Sequence, residues 1–126
     1  EQRYFVNKLA VVVTTPPHSN LTVSALNYIE AALNVGVEVI GVFFYQDGVL
    51  NASNHVRIAN DEFQATQQWQ HLHSKYQLPL HLCITAAEKR GLTDDSSTPL
   101  IIDAFTVSGL GELVELNSKA DRVVQF

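Results

Sequence analysis

At 126 residues the chain has room for one hydrophobic core and one domain, 1–126, with residues 1–6 set aside as an extension. Apolar residues make up 46% and charged residues 17%, which excludes a disordered chain. The net charge of −5, with only Lys89 and Arg90 adjacent among eight basic residues, argues against direct nucleic-acid binding, which needs clustered cations. A single cysteine rules out an internal disulfide. The longest apolar runs, 9–13 and 39–45, are too short to cross a bilayer. The first residues lack a basic stretch followed by an apolar run, so a reducing cytoplasm is the expected location.

In chain order, residues 9–13 (Leu-Ala-Val-Val-Val) predict a strand covered on both faces, as in a parallel sheet. The turn 14–19 breaks it with Pro16 and Pro17. A helix is predicted over 21–34, with Val23, Leu26, Ile29 and Leu33 as its apolar stripe and Gly36 as its left-handed stop. Residues 37–45 read as a second strand, and 46–60 as a long polar loop. Asp61 and Gln64 resemble a capping box for a helix over 62–76, buried through Ala65, Trp69, Leu72 and Tyr76. Pro79 ends that segment.

A third strand is predicted over 80–84 and a short helix over about 86–90, stopped by Gly91. Residues 93–99 read as loop, and 100–105 as a short strand or an irregular crossing. A helix over 108–119, with Leu110, Leu113 and Val114 inward, leads to a last strand over 122–126. The alternation predicts an α/β fold, a three-layer α/β/α sandwich around a mostly parallel sheet of about five strands. The aromatic set Phe43, Phe44, Tyr45 and Trp69 is assigned to the core.

Cys83 is the candidate reactive residue. Strand alternation puts it on the more polar face with His81 and Thr85, at the carboxyl end of a parallel strand, where open α/β sheets place their sites. Thr85 and Glu88 fit a capping box, so a helix start with Lys89 and Arg90 behind it would favour the thiolate. Spacing alone leaves two readings open: a buried small hydrophobe, or a nucleophile. His81 is a candidate proton acceptor, although strand histidines are more often solvated or at interfaces.

Other chemistries fare worse. His71 and His73 point to different faces of a helix, and no zinc-ligand spacing occurs, so no metal is expected. There is no G-x-S-x-G elbow and no G-x-G-x-x-G after the first strand, so no cofactor is expected and a nucleotide-binding flavodoxin-like domain ranks low. The run Ser108-Gly109-Leu110-Gly111 reads as a close-packed helix entry rather than an anion site.

Three blocks carry a resemblance to a known family. They are Val42-Phe43-Phe44-Tyr45-Gln46-Asp47-Gly48-Val49 with Asn51-Ala52, Cys83-Ile84-Thr85-Ala86-Ala87-Glu88-Lys89-Arg90-Gly91, and Phe105–Leu113 with the ending Ala120–Phe126. Together they resemble the DsrE/TusD family, whose members are sulfur-carrier subunits of relay complexes. Lys89 stands where that family's pattern has Arg, the segment 93–102 is shorter and the N-terminus longer.

The resemblance implies a sulfurtransferase that needs no cofactor and bears a persulfide on Cys83, with His81, Thr85, Lys89 and Arg90 as support. It implies a heterohexamer with related TusB- and TusC-like subunits, an upstream TusA-like carrier and a downstream TusE-like carrier. The sulfur would end in 2-thiouridine at a tRNA wobble position. The alternatives are a DsrE-type subunit of sulfur oxidation with the same site residues, and a non-catalytic scaffold subunit.

Overall fold

The computed structural model describes residues 7–92 and 100–126, so the expected extension 1–6 and loop 93–99 lie outside the described residues. Five strands form one all-parallel sheet: β1 (Lys8–Val13), β2 (Glu38–Phe44), β3 (Leu80–Cys83), β4 (Thr106–Ser108) and β5 (Arg122–Gln125), in the order β4-β3-β2-β1-β5. Helices α1 (Asn20–Asn34), α2 (Ala65–Tyr76), α3 (Ile84–Lys89) and α4 (Leu110–Lys119) connect them. Successive moves from β1 to β4 run in one direction, and only the β4-to-β5 connection runs back. Right-handed crossovers therefore put α1, α2 and α3 on one face and leave α4 alone on the other. Side chains agree: the site of Gly41 faces Leu116 of α4, whereas Phe44, three residues on, packs edge-on against Trp69 of α2.

The continuous apolar strands are covered on both faces, as expected. Leu9 through Val13 and Val42 through Phe44 are buried. Helix α1 starts with Ser19 accepting a hydrogen bond from the Leu21 N–H and ends beside Gly36, whose φ of +88° supplies the left-handed turn. Its buried set is Thr22, Ala25, Leu26 and Ile29. Val23 and Leu33 of the predicted stripe are only partly buried.

Several boundaries differ from expectation, each for a physical reason. Helix α2 begins at Ala65, and no capping box forms. The Gln64 amide donates instead to the carbonyls of Ala59 and Glu62, satisfying the preceding turn. The polar loop after β2 contains a 3-10 helix, Gln46–Ala52. Residues 100–105 form an irregular crossing, held by a single antiparallel bridge between Ile101 and Ser53. Thr106–Ser108 pair with β3, so ladder hydrogen bonds claim Ser108 and α4 starts two residues late. Leu116 and the partly buried Leu113 then face inward, while Leu110 and Val114 are exposed. A side chain at Gly109 or Gly111 would meet nothing within 4 Å, so these glycines are not required by close packing.

The 3-10 helix lies hard against the end of β1. A Cβ on Gly48 would collide with the Val13 carbonyl, a contact only glycine permits. Gly48→Ala is accordingly expected to cost about 1–3 kcal/mol, read as a lower urea midpoint with an unchanged slope.

Candidate functional site

The carboxyl ends of β2 and β3 open on a cavity of about 250 Å³ between the 3-10 helix, α3 and the start of α4. Of the residues expected to act, Cys83, Thr85, Lys89 and Arg90 line it together. Cys83 is the last residue of β3 and also the N-cap of α3, with extended backbone (φ −66°, ψ 119°) and no side-chain cap bond. The helix thus begins at Ile84 rather than near Ala86. Thr85 sits in its first turn instead of capping it, because the chain turns directly out of the β3 ladder. The unpaired N–H groups of that turn lie immediately behind the cysteine. Cys83 itself is 0% exposed.

Arg90 is fixed from two sides. Its Nε donates to Asp47 Oδ1 at 3.0 Å, and its Nη1 donates to the Ala86 carbonyl at 3.0 Å. Asp47 comes from the 3-10 helix, which is itself pinned by Asn51. The Asn51 amide donates to the carbonyls of Thr15 and Gly48, and its oxygen accepts from Trp69 Nε1 at 3.0 Å. One buried asparagine therefore ties the β1–α1 turn, the 3-10 helix and α2 to one another behind the cavity.

Tyr45, Gln46 and Leu110 also line the cavity; the sequence assigns Tyr45 and Leu110 to the core and none of the three to the site. Gln46 has φ +52°, a left-handed conformation uncommon outside glycine and asparagine, at the point where β2 turns into the 3-10 helix. The run Gln46-Asp47-Gly48 at a strand's carboxyl end was the available signal, since that end is where parallel sheets bind ligands.

His81 does not line this cavity. It leaves the same face of β3 as Cys83 but reaches the other way along the sheet, under α4. Its Nδ1 is 3.3 Å from Ser108 Oγ and its Nε2 is 3.8 Å from Glu112 Oε2. A second cavity of about 270 Å³ lies there, lined also by Lys8, Glu38, Glu115 and Lys119. Lys119 donates to Glu115 at 2.6 Å; this hydrogen bond holds the Glu115 carboxyl below and the Lys119 ammonium above their usual ranges. Of the other histidines, His71 is exposed and the His73 Nδ1–H donates to the Leu78 carbonyl. Among the described residues no group of three or more His, Cys, Asp or Glu is placed to hold a metal, and no helix is long and apolar enough to cross a membrane.

Fold and site together define an α/β protein with a lone thiol at the carboxyl edge of a parallel sheet, facing a small cavity with two cationic side chains. The chain belongs to the DsrE/DsrF-like family, which matches residues 7–126. Relatives named Sulfurtransferase TusD from Klebsiella pneumoniae subsp. pneumoniae and from Salmonella arizonae are each 39% identical, over 94% of this chain and 99% of theirs. The fold is that of the ychN protein from E. coli, whose crystal structure superposes with a TM-score of 0.78 at 23% identity, covering 97% of this chain and all of that one.

Proposed function

We propose that this chain is a sulfurtransferase that accepts sulfane sulfur on Cys83 as a persulfide and hands it to a further carrier protein. The observation that carries the reading is the position of Cys83: it is the only cysteine, at a parallel strand's carboxyl end, capping a helix, with a cavity before it. The thiolate of Cys83 is the species that attacks a partner's persulfide, and Lys89 and Arg90 line the cavity in which an anionic partner group would sit. With no second cysteine in the chain, nothing within it can discharge the product as a disulfide, so each transfer is between molecules. The relatives' names support the same chemistry.

In this reading the sulfur comes from an upstream TusA-like carrier, passes to a TusE-like one and ends in tRNA wobble-uridine 2-thiolation, in the cytoplasm. Related TusB- and TusC-like subunits complete the assembly. Exposed Ile84, next to Cys83, and exposed Leu110 and Val114 on α4 support protein contacts around the site. Sulfur transfer of this kind needs no cofactor.

The complete burial of Cys83 favours a second reading, a non-catalytic scaffold subunit in which the thiol is only core. The two separate cleanly in a transfer experiment. The chain is loaded from labelled cysteine through a desulfurase and an upstream carrier, purified, and presented with a downstream carrier. The carrier reading expects label to arrive and then leave; a scaffold takes up none.

A further inference from the structure

The cavity in front of Cys83 carries two cations, and their surroundings differ. Arg90 is committed to the wall: its Nε donates to Asp47 Oδ1 and its Nη1 to the Ala86 carbonyl, each at 3.0 Å. Lys89 is exposed and makes no hydrogen bond or ion pair with any described residue. Among the described residues no carboxylate lines the cavity. Asp47 answers Arg90 from outside the lining, so the charge of Lys89 stays unbalanced in the space the thiol faces. Cys83 is 0% exposed, and a reacting group meets its sulfur only by entering this space of about 250 Å³. Whatever flanks that group is thereby brought to Lys89.

We propose that Lys89 is a specificity-determining residue of the sulfur transfer: its ammonium pairs with a carboxylate carried beside the reacting sulfur of the partner protein, while Arg90 only shapes the cavity. The proposal rests on the carrier reading of Cys83. An unpaired lysine suits this task, since its flexible stem and point charge accept a carboxylate without a fixed geometry. On a protein partner that carboxylate is an Asp or Glu side chain or the chain end. The donor and the acceptor of the sulfur use the same cavity, so both carry one. The pair forms at a part-exposed site, where charge sorts partners and speeds their entry more than it holds them.

The test compares two alkylating reagents of similar size, iodoacetate, which carries a carboxylate, and iodoacetamide, which does not. The same thiolate displaces iodide from both, so the ratio of their rates cancels the thiolate fraction and reads the local charge. In the wild type the iodoacetate-to-iodoacetamide ratio exceeds that of N-acetylcysteinamide in the same buffer, and it falls as salt is raised. Lys89→Gln lowers it about fivefold, Lys89→Arg retains it, and Arg90→Gln lowers it by less than Lys89→Gln does.

Cysteine peptides activated as pyridyl disulfides separate the two sources of carboxylate. One has a glutamate beside the cysteine and an amidated end, one has a free carboxyl end and no glutamate, and a reference peptide has neither. The Cys83 thiolate forms the mixed disulfide, the bond to the pyridyl sulfur breaks, and pyridinethione leaves with the electron pair. Faster exchange with either carboxylate peptide, lost in Lys89→Gln, supports the assignment and tells a side chain from a chain end. A ratio unchanged in Lys89→Gln, a drop at least as large in Arg90→Gln, or no gain for either peptide overturns it. A folded wild type that reacts with neither alkylating reagent overturns it as well. None of these measurements uses a sulfur donor, so persulfide loading of Cys83 can succeed where they fail.

Discussion

Cys83→Ser is expected to fold and to carry no sulfur at all. The residue is fully buried, and burying a hydroxyl in place of a thiol ordinarily costs about 1–3 kcal/mol. Here the position is the N-cap of α3, where the cysteine makes no cap bond and serine is among the favoured residues. A serine hydroxyl accepting from the first-turn N–H groups recovers about 1 kcal/mol, so the variant stays close to wild-type stability. Its chemistry is lost outright, since an alcohol does not form a persulfide. Urea unfolding and transfer of labelled sulfur, measured on one preparation, check both halves: a near-normal midpoint with no label.

Asn51→Ala is expected to have the largest effect on stability among polar substitutions near the site. It removes three hydrogen bonds and leaves the buried indole N–H of Trp69 without its acceptor. The orphaned donor alone costs about 1–3 kcal/mol. With the Asn51 donor also lost to the carbonyls of Gly48 and Thr15, the latter keeping the Thr22 hydroxyl, the total is about 3 kcal/mol, or a fall of roughly 10 °C in the unfolding midpoint. The consequence for function runs through the 3-10 helix. Once it loosens, Asp47 no longer fixes Arg90 at the cavity, and sulfur uptake slows even where the chain remains folded. Asp47→Ala isolates that last link. The ion pair is part-exposed, so its loss changes stability by less than about 1 kcal/mol.

Elements whose own residues determine them were legible in the sequence. The unbroken apolar runs of β1 and β2 announce a sheet covered on both faces, and Gly36 marks the end of α1. Cys83 was legible as a site candidate because a strand end and a helix start both follow from local pattern. What escaped depends on distant partners. Thr106–Ser108 is too short and too polar to read as a strand, and becomes one only by pairing with β3. Asp47 meets Arg90 across 43 residues of sequence, and Asn51 meets Trp69 across 18. The orientation of α4 was misread because its starting point, and hence its inward face, is set by where that β4 pairing ends.

His81 shows the limit of alternation as a guide. Its face was predictable, but its partners Ser108 and Glu112 come from β4 and α4. No spacing within β3 indicates that the imidazole turns toward them and away from the cavity in front of Cys83.

Whether Cys83 holds a transferable sulfur is tested most directly by the intact mass of the protein after incubation with a cysteine desulfurase, cysteine and the upstream carrier. A gain of one sulfur atom that reductant reverses and that Cys83→Ser lacks is the predicted result. An unchanged mass in the presence of a fully loaded upstream carrier and the related subunits would contradict it.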